Sequence, residues 1–125
     1  MILDTNSLSA FADGVEAVVS VVHSARSVAL SVISLGEFRF GIAQSRHRLD
    51  YERWLRENLG FYGILTISEE TASAYAEIRL ELKQAGRPIP VNDLWIAAQC
   101  RQHDLPILSR DTHFDAVKDV RRVGW

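Results

Sequence analysis

The sequence predicts an α/β fold, a three-layer α/β/α sandwich with a mainly parallel central sheet. Two observations carry this. Short apolar runs alternate with longer stretches of helical spacing along the whole chain, the pattern of a sheet with helices on both faces. The run Val28-Ala29-Leu30-Ser31-Val32 is also continuously apolar apart from one serine, as in a parallel strand covered on both sides.

Ile2-Leu3 reads as a very short strand that stops at Asp4-Thr5-Asn6, three good turn and N-cap residues, with a helix following over Ser7 to Ala12. Asp13-Gly14 marks a break before a second helix, Val15 to Ser24. The strand 28–32 leads into a helix over Ser34 to Ser45, with Leu35, Phe38 and Ile42 on one side. Arg46 to Leu59 is charged, but Leu49, Trp54 and Leu55 fall at roughly helical spacing, so a helix ending at Gly60 is expected. Ile64 to Ile67 is the next strand. Ser68-Glu69-Glu70-Thr71 suits the start of a long helix to Ala85. Gly86 to Pro90 is the clearest loop. A helix over Asn92 to Gln102, a strand Pro106 to Leu108 and a final strand Val120 to Val123 complete the reading.

A length of 125 residues with 47% hydrophobic content fits a single domain, 1–125, with a real core. Cys100 is the only cysteine, which excludes an internal disulfide and a cysteine-based zinc site. The opening Met1-Ile2-Leu3-Asp4 lacks the apolar run of a signal peptide, and no stretch is long enough to cross a bilayer, so no membrane partner and a cytoplasmic location are expected. The net charge is −2. If Asp4, Glu37, Asp93 and Asp111 serve a metal, the rest of the chain carries +2, which permits an RNA partner without demanding one.

Those four acids carry the chemistry. Asp4 follows the first strand, and Asp111 follows Ile107-Leu108 after two polar residues, so both emerge at one edge of the sheet. In α/β folds that edge, beyond the carboxyl ends of the strands, holds the functional site. Asp93 opens a helix whose core-facing positions are Ile96, Ala97 and Cys100, and Glu37 has Ile33, Ser34 and Gly41 as helical neighbours. Four converging carboxylates repel one another. Hard divalent cations with oxygen ligands, Mg²⁺ or Mn²⁺, remove the conflict. A pair of such ions can activate water and stabilise the leaving oxygen in phosphodiester cleavage. No Ser-His-Asp arrangement and no glycine-rich phosphate cradle is present. Taken singly, Asp4, Asp93 and Asp111 would more readily be helix caps and Glu37 a solvated helix residue. Their shared edge moves the balance to function.

The same residues resemble a known family. Ile2-Leu3-Asp4-Thr5-Asn6 resembles the opening strand and turn of PIN domains, and Ile33-Ser34-Leu35-Gly36-Glu37 resembles the segment carrying their second acid. Asn92-Asp93-Leu94-Trp95-Ile96-Ala97-Ala98 and Ser109-Arg110-Asp111-Thr112-His113-Phe114 resemble the segments carrying the third and fourth. The length and the His-Phe pair are similar in particular to VapC toxins of VapBC toxin–antitoxin modules. The resemblance implies a Mg²⁺- or Mn²⁺-dependent endoribonuclease acting on tRNA, rRNA or mRNA. It also implies a homodimer held inactive by a small VapB-like antitoxin that sends a peptide into the acidic groove. By position, Asp4, Glu37, Asp93 and Asp111 are the metal-site acids, with Thr5, Asn6 and Ser109 as polar supports. Ser109 stands where the family usually has threonine, and Asp115 offers a fifth acid for which a capping or surface role is favoured.

His113 is read as structural or surface, because a metal-dependent nuclease needs no histidine to activate water. Phe38, Phe40, Trp54, Phe61 and Tyr62 exceed what one face of a small sandwich requires, so the first-half helices are expected to supply an antitoxin groove or dimer surface. A HAD-like phosphatase would want a second acid where Asn6 stands. A PIN nuclease of RNA processing without an antitoxin, and a non-catalytic PIN-like scaffold, are the alternative readings.

Overall fold

The computed structural model describes residues 1–125. In order the elements are β1 (Ile2–Leu3), α1 (Thr5–Ala12), α2 (Glu16–Ser24), β2 (Ala29–Ser31), α3 (Val32–Ala43), α4 (Arg48–Asn58), β3 (Gly63–Leu65), α5 (Glu69–Gln84), α6 (Val91–His103), β4 (Ile107–Leu108) and β5 (Arg122–Val123). Short 3₁₀ segments lie at Leu59–Phe61 and Thr112–Ala116. The sheet runs β3-β2-β1-β4-β5 and every pair is parallel. The expected three-layer α/β/α sandwich is therefore the observed one.

Alternation along each central strand builds two cores. Ile2 and Ile107 face one side, with Ile78, Leu82, Leu94, Ala97 and Phe114 from α5, α6 and the second 3₁₀ segment. Leu3 and Leu108 face the other, with Leu8, Phe11, Val18, Phe38 and Leu55 from α1 to α4. Fully burying each such side chain contributes about 1.5–3 kcal/mol. That contribution is what allows strands of two residues to persist.

Several boundaries differ from the sequence reading, each for a local reason. The strand predicted over 28–32 stops at Ser31, whose Oγ accepts from the Ile33 N–H at 3.1 Å, so α3 begins at once at Val32. Ser45 holds the His47 N–H at 3.0 Å in a turn, which delays α4 to Arg48. Thr66 and Ile67 leave β3. There the buried Gln99 donates from Nε2 to the carbonyls of Leu65 at 2.9 Å and Thr66 at 3.4 Å. The last strand shrinks to Arg122–Val123 after Asp119, which takes a left-handed φ of 63°. The 3₁₀ segment after Asp111 was not expected at all.

The first-half helices divide their aromatics. Phe38 is buried and Trp54 half-buried, packed edge-on against Phe11 at 5.4 Å between ring centroids. Phe40, Phe61 and Leu49 are left 71%, 80% and 67% exposed.

Phe114 anchors the segment that carries Asp111 and is fully buried. Phe114→Ala should lower unfolding free energy by roughly 3–5 kcal/mol, read from urea denaturation. A loss under 1 kcal/mol (about the cost of deleting one methylene) would mean that this ring is not a core element.

Candidate active site

The chain reverses its direction of travel across the sheet between β1 and β4, since β2 and β3 extend one side and β5 the other. Such a switch point opens a crevice beyond the strand ends. The Asp4 N–H donates to the Leu108 carbonyl at 3.3 Å, so the two chain segments leave the sheet side by side.

Asp4 is 5% exposed, and both its oxygens are engaged. Oδ1 accepts from the Ser7 N–H at 2.8 Å and caps α1, while Oδ2 accepts a short hydrogen bond from the Ser109 hydroxyl. Ser109 Oγ in turn accepts from the Asp111 N–H at 2.9 Å. Asp111 caps the 3₁₀ segment through the His113 N–H at 2.9 Å. Glu37, exposed on α3, accepts from Thr5 Oγ1 at 2.9 Å, which ties it to the residue next to Asp4. Asn6 is exposed in the first turn of α1. Asp93 lies in the first turn of α6 without capping it; the N-cap is Pro90.

The electrostatics follow from this crowding. Burial pushes the Asp93 carboxyl above its ordinary range. The His113 ring opposes the shift, and the charges of Asp111 and Asp4 add to it. Asp93 is thus the acid of the site whose ionised form its surroundings disfavour. Its side chain is 20% exposed, so it faces both protein and crevice.

His113 is the residue to which the sequence reading assigns a structural or surface role. Its ring is half exposed, but Nδ1 lies 3.2 Å from Asp93 Oδ2 and 3.0 Å from Asp111 Oδ1, inside the cluster. The available signal was its place two residues after Asp111, where a capping turn folds the side chain back. Asp115 gives both oxygens to Arg122, at 2.8 and 2.9 Å. Arg122 also donates to the Ser109 carbonyl at 3.2 Å, so one guanidinium clamps both ends of the segment around Asp111.

Ligand atoms of Asp93, Asp111 and His113 lie within 4.8 Å of one another. The carboxylate oxygens of Asp93 and Asp111 suit Mg²⁺ or Mn²⁺, hard cations that take oxygen ligands, and the imidazole is the donor of the three least suited to either. The residues present thus fit a divalent cation. Cys100 lies outside this group and is buried in the core, where burial lifts its pKa to about 12. No helix is long and apolar enough to cross a membrane.

Comparison with known proteins identifies the family. The family model described as PIN domain matches residues 1–120. The chain is 31% identical over 98 residues to Ribonuclease VapC5 of Mycobacterium tuberculosis, covering 77% of this chain and 73% of that one. It superposes on the crystal structure of FitAcB from Neisseria gonorrhoeae with a TM-score of 0.82 and 32% identity, over 97% of this chain and 94% of that one. It also superposes on VapBC-5 from Mycobacterium tuberculosis, a member of the VapBC family of toxin–antitoxin systems, with a TM-score of 0.72, 25% identity and coverage of 99% and 97%. The chain belongs to the PIN-domain family, among the VapC-like proteins.

Proposed function

We propose that the chain, as a single PIN domain, is a Mg²⁺- or Mn²⁺-dependent endoribonuclease and the cytoplasmic toxin of a toxin–antitoxin pair. The observation that carries this is geometric: ligand atoms of Asp93, Asp111 and His113 lie within 4.8 Å of one another, and Asp4 is tied to Asp111 through the Ser109 hydroxyl, at the switch point of the sheet. Asp4, Glu37, Asp93 and Asp111 are the proposed metal-site acids, with Thr5, Asn6 and Ser109 as polar supports. The ribonuclease name of the VapC5 relative supports the reading.

The residues divide the work. A bound divalent cation would supply Lewis-acid stabilisation of charge at the scissile phosphate and a more acidic water. Asp4 is held by two donors and so acts as a fixed oxygen ligand. Asp93 supplies charge that its burial leaves under-compensated, and Asp111 supplies a second carboxylate across the His113 ring. The His113 ring bridges these two and orients them. Glu37, held by Thr5, closes the crevice on the α3 side. An RNA strand then lies across the crevice with one phosphate at the acids.

The partner reading is supported by the toxin–antitoxin description of the VapBC-5 structure and by the exposed Phe40, Phe61 and Leu49. A small antitoxin peptide is proposed to cover those side chains and reach the acidic groove, on a homodimer of this chain.

Purified protein should cut cellular RNA with Mg²⁺ or Mn²⁺ and not with EDTA. Asp93→Asn should reduce cutting by more than roughly 100-fold, beyond the loss typical of outer-shell partners. Asp4→Asn should do likewise and keep its fold, because asparagine caps as well as aspartate and its amide can donate to Ser109 Oγ where the carboxylate accepted. Cutting unchanged in EDTA would sink the metal reading.

The raised Asp93 pKa makes a second prediction with a definite sign. A carboxyl raised in the folded state is penalised when ionised, so stability falls as pH rises from the ordinary value of 3.8 through the raised one. In EDTA at neutral pH, Asp93→Asn should be at least as stable as wild type, and that margin should vanish below the window. Thermal melts across pH test this, and a clearly less stable variant at neutral pH contradicts it.

Co-expression with a short open reading frame adjoining the gene should relieve growth arrest and yield a copurifying complex. Cleavage without such a partner would leave the nuclease and remove the toxin.

A further inference from the structure

The acidic crevice poses a problem for its own proposed substrate. Four carboxylates repel an RNA backbone, and a cation at the acids compensates only at the scissile phosphate. Flanking phosphates need basic groups at the rim. Arg122 is committed to Asp115 and the Ser109 carbonyl, and Arg101 to Glu81 and the Lys118 carbonyl.

Arg110 is different. It sits between Ser109, which bonds Asp4, and Asp111, so its backbone belongs to the site. It is exposed and makes no ion pair with any acid, although its chain neighbour is one. Its guanidinium instead lies over the Trp125 ring, 4.3 Å from the centroid. Trp125 is itself fixed: Nε1 donates to Ser7 Oγ at 2.8 Å, and that hydroxyl donates to the Leu108 carbonyl at 2.6 Å. Ser7 is fully buried and its N–H holds Asp4. A chain of contacts therefore runs from the first acid of the site to the indole beneath Arg110.

We propose that Arg110, held on the Trp125 ring, is an RNA-phosphate contact at the lip of the acidic site, with Trp125 as its positioning residue. The inference rests on the ribonuclease reading and extends it to how the strand is held. Stacking on indole restricts the guanidinium while leaving its N–H groups free, which suits a planar donor that receives a phosphate. A purely structural pairing of Arg110 with Trp125 would need none of those donors to remain open.

The test is binding of a fluorescein-labelled single-stranded RNA of mixed sequence, by anisotropy with Mg²⁺, over a series of salt concentrations. An Asp93→Asn background keeps the strand intact. Arg110→Ala should weaken binding roughly tenfold, the scale of a charge-assisted hydrogen bond. The slope of log affinity against log salt should become shallower by about 0.7, the value for one single-strand phosphate. Arg110→Lys should keep the slope with intermediate affinity. Trp125→Leu should weaken binding several-fold with the slope unchanged, since the charge remains and only its placement is lost. Affinity within twofold of the parent and an unchanged slope for Arg110→Ala would overturn the proposal, and a lowered melting temperature alone would make the pair structural. Cleavage by the protein with native Asp93 is measured in parallel. Binding that depends on Arg110 without any cleavage would sink the ribonuclease reading and leave the phosphate contact standing.

Discussion

The structure depends on one adjacency, the parallel register of β1 and β4, in which Leu3 lies beside Leu108. The two strands are far apart in the chain and only two residues long, too short to hold one another through ladder hydrogen bonds alone. What keeps them in register is burial on both faces, Ile2 and Ile107 into one core and Leu3 and Leu108 into the other. A slip of one residue would exchange the cores and separate Asp4 from Ser109. The carboxylates are therefore placed by the packing beneath them.

Capping and a place in the acidic cluster, which compete when each aspartate is read alone, coincide here. Asp4 and Asp111 both cap the turn that follows their strand, and the cap fixes where the remaining oxygen lone pairs point. Asp93 has no such role and is the acid whose charged form the fold disfavours. The cluster thus contains satisfied anchors beside an unsatisfied group. That division is what makes a cation favourable without requiring the apo domain to unfold.

Much of this was legible in the sequence. The parallel sheet, the order of helices and the common edge of Asp4 and Asp111 follow from apolar runs ending in turn residues. The acids on α3 and α6 follow from their neighbours at helical spacing. What was not legible depends on contacts across the fold. The place of His113 between Asp93 and Asp111 needs the 3₁₀ segment, which has no apolar period to announce it. For Asp115 the sequence favours a capping or surface role, but its partner Arg122, on β5, takes both oxygens through a contact no local pattern announces. Val32 continues an apolar run in sequence, and only the Ser31 cap shows that the helix has already begun. The indole of Trp125 over Ser7 joins opposite ends of the chain, which no local pattern encodes.

The clamp made by Arg122 has a consequence for the order in which the molecule matures. Synthesis proceeds from the amino end, so the four acids all leave the ribosome before the guanidinium that fixes the Ser109–Asp115 segment. Until β5 joins the edge of the sheet, the turn carrying the fourth acid is anchored by Phe114 but lacks the guanidinium that ties Asp115 to the Ser109 carbonyl. A chain translated only as far as Asp115 carries the four acids without that clamp. If the site cuts RNA, its full tethering waits for Arg122, which leaves the ribosome after all four acids.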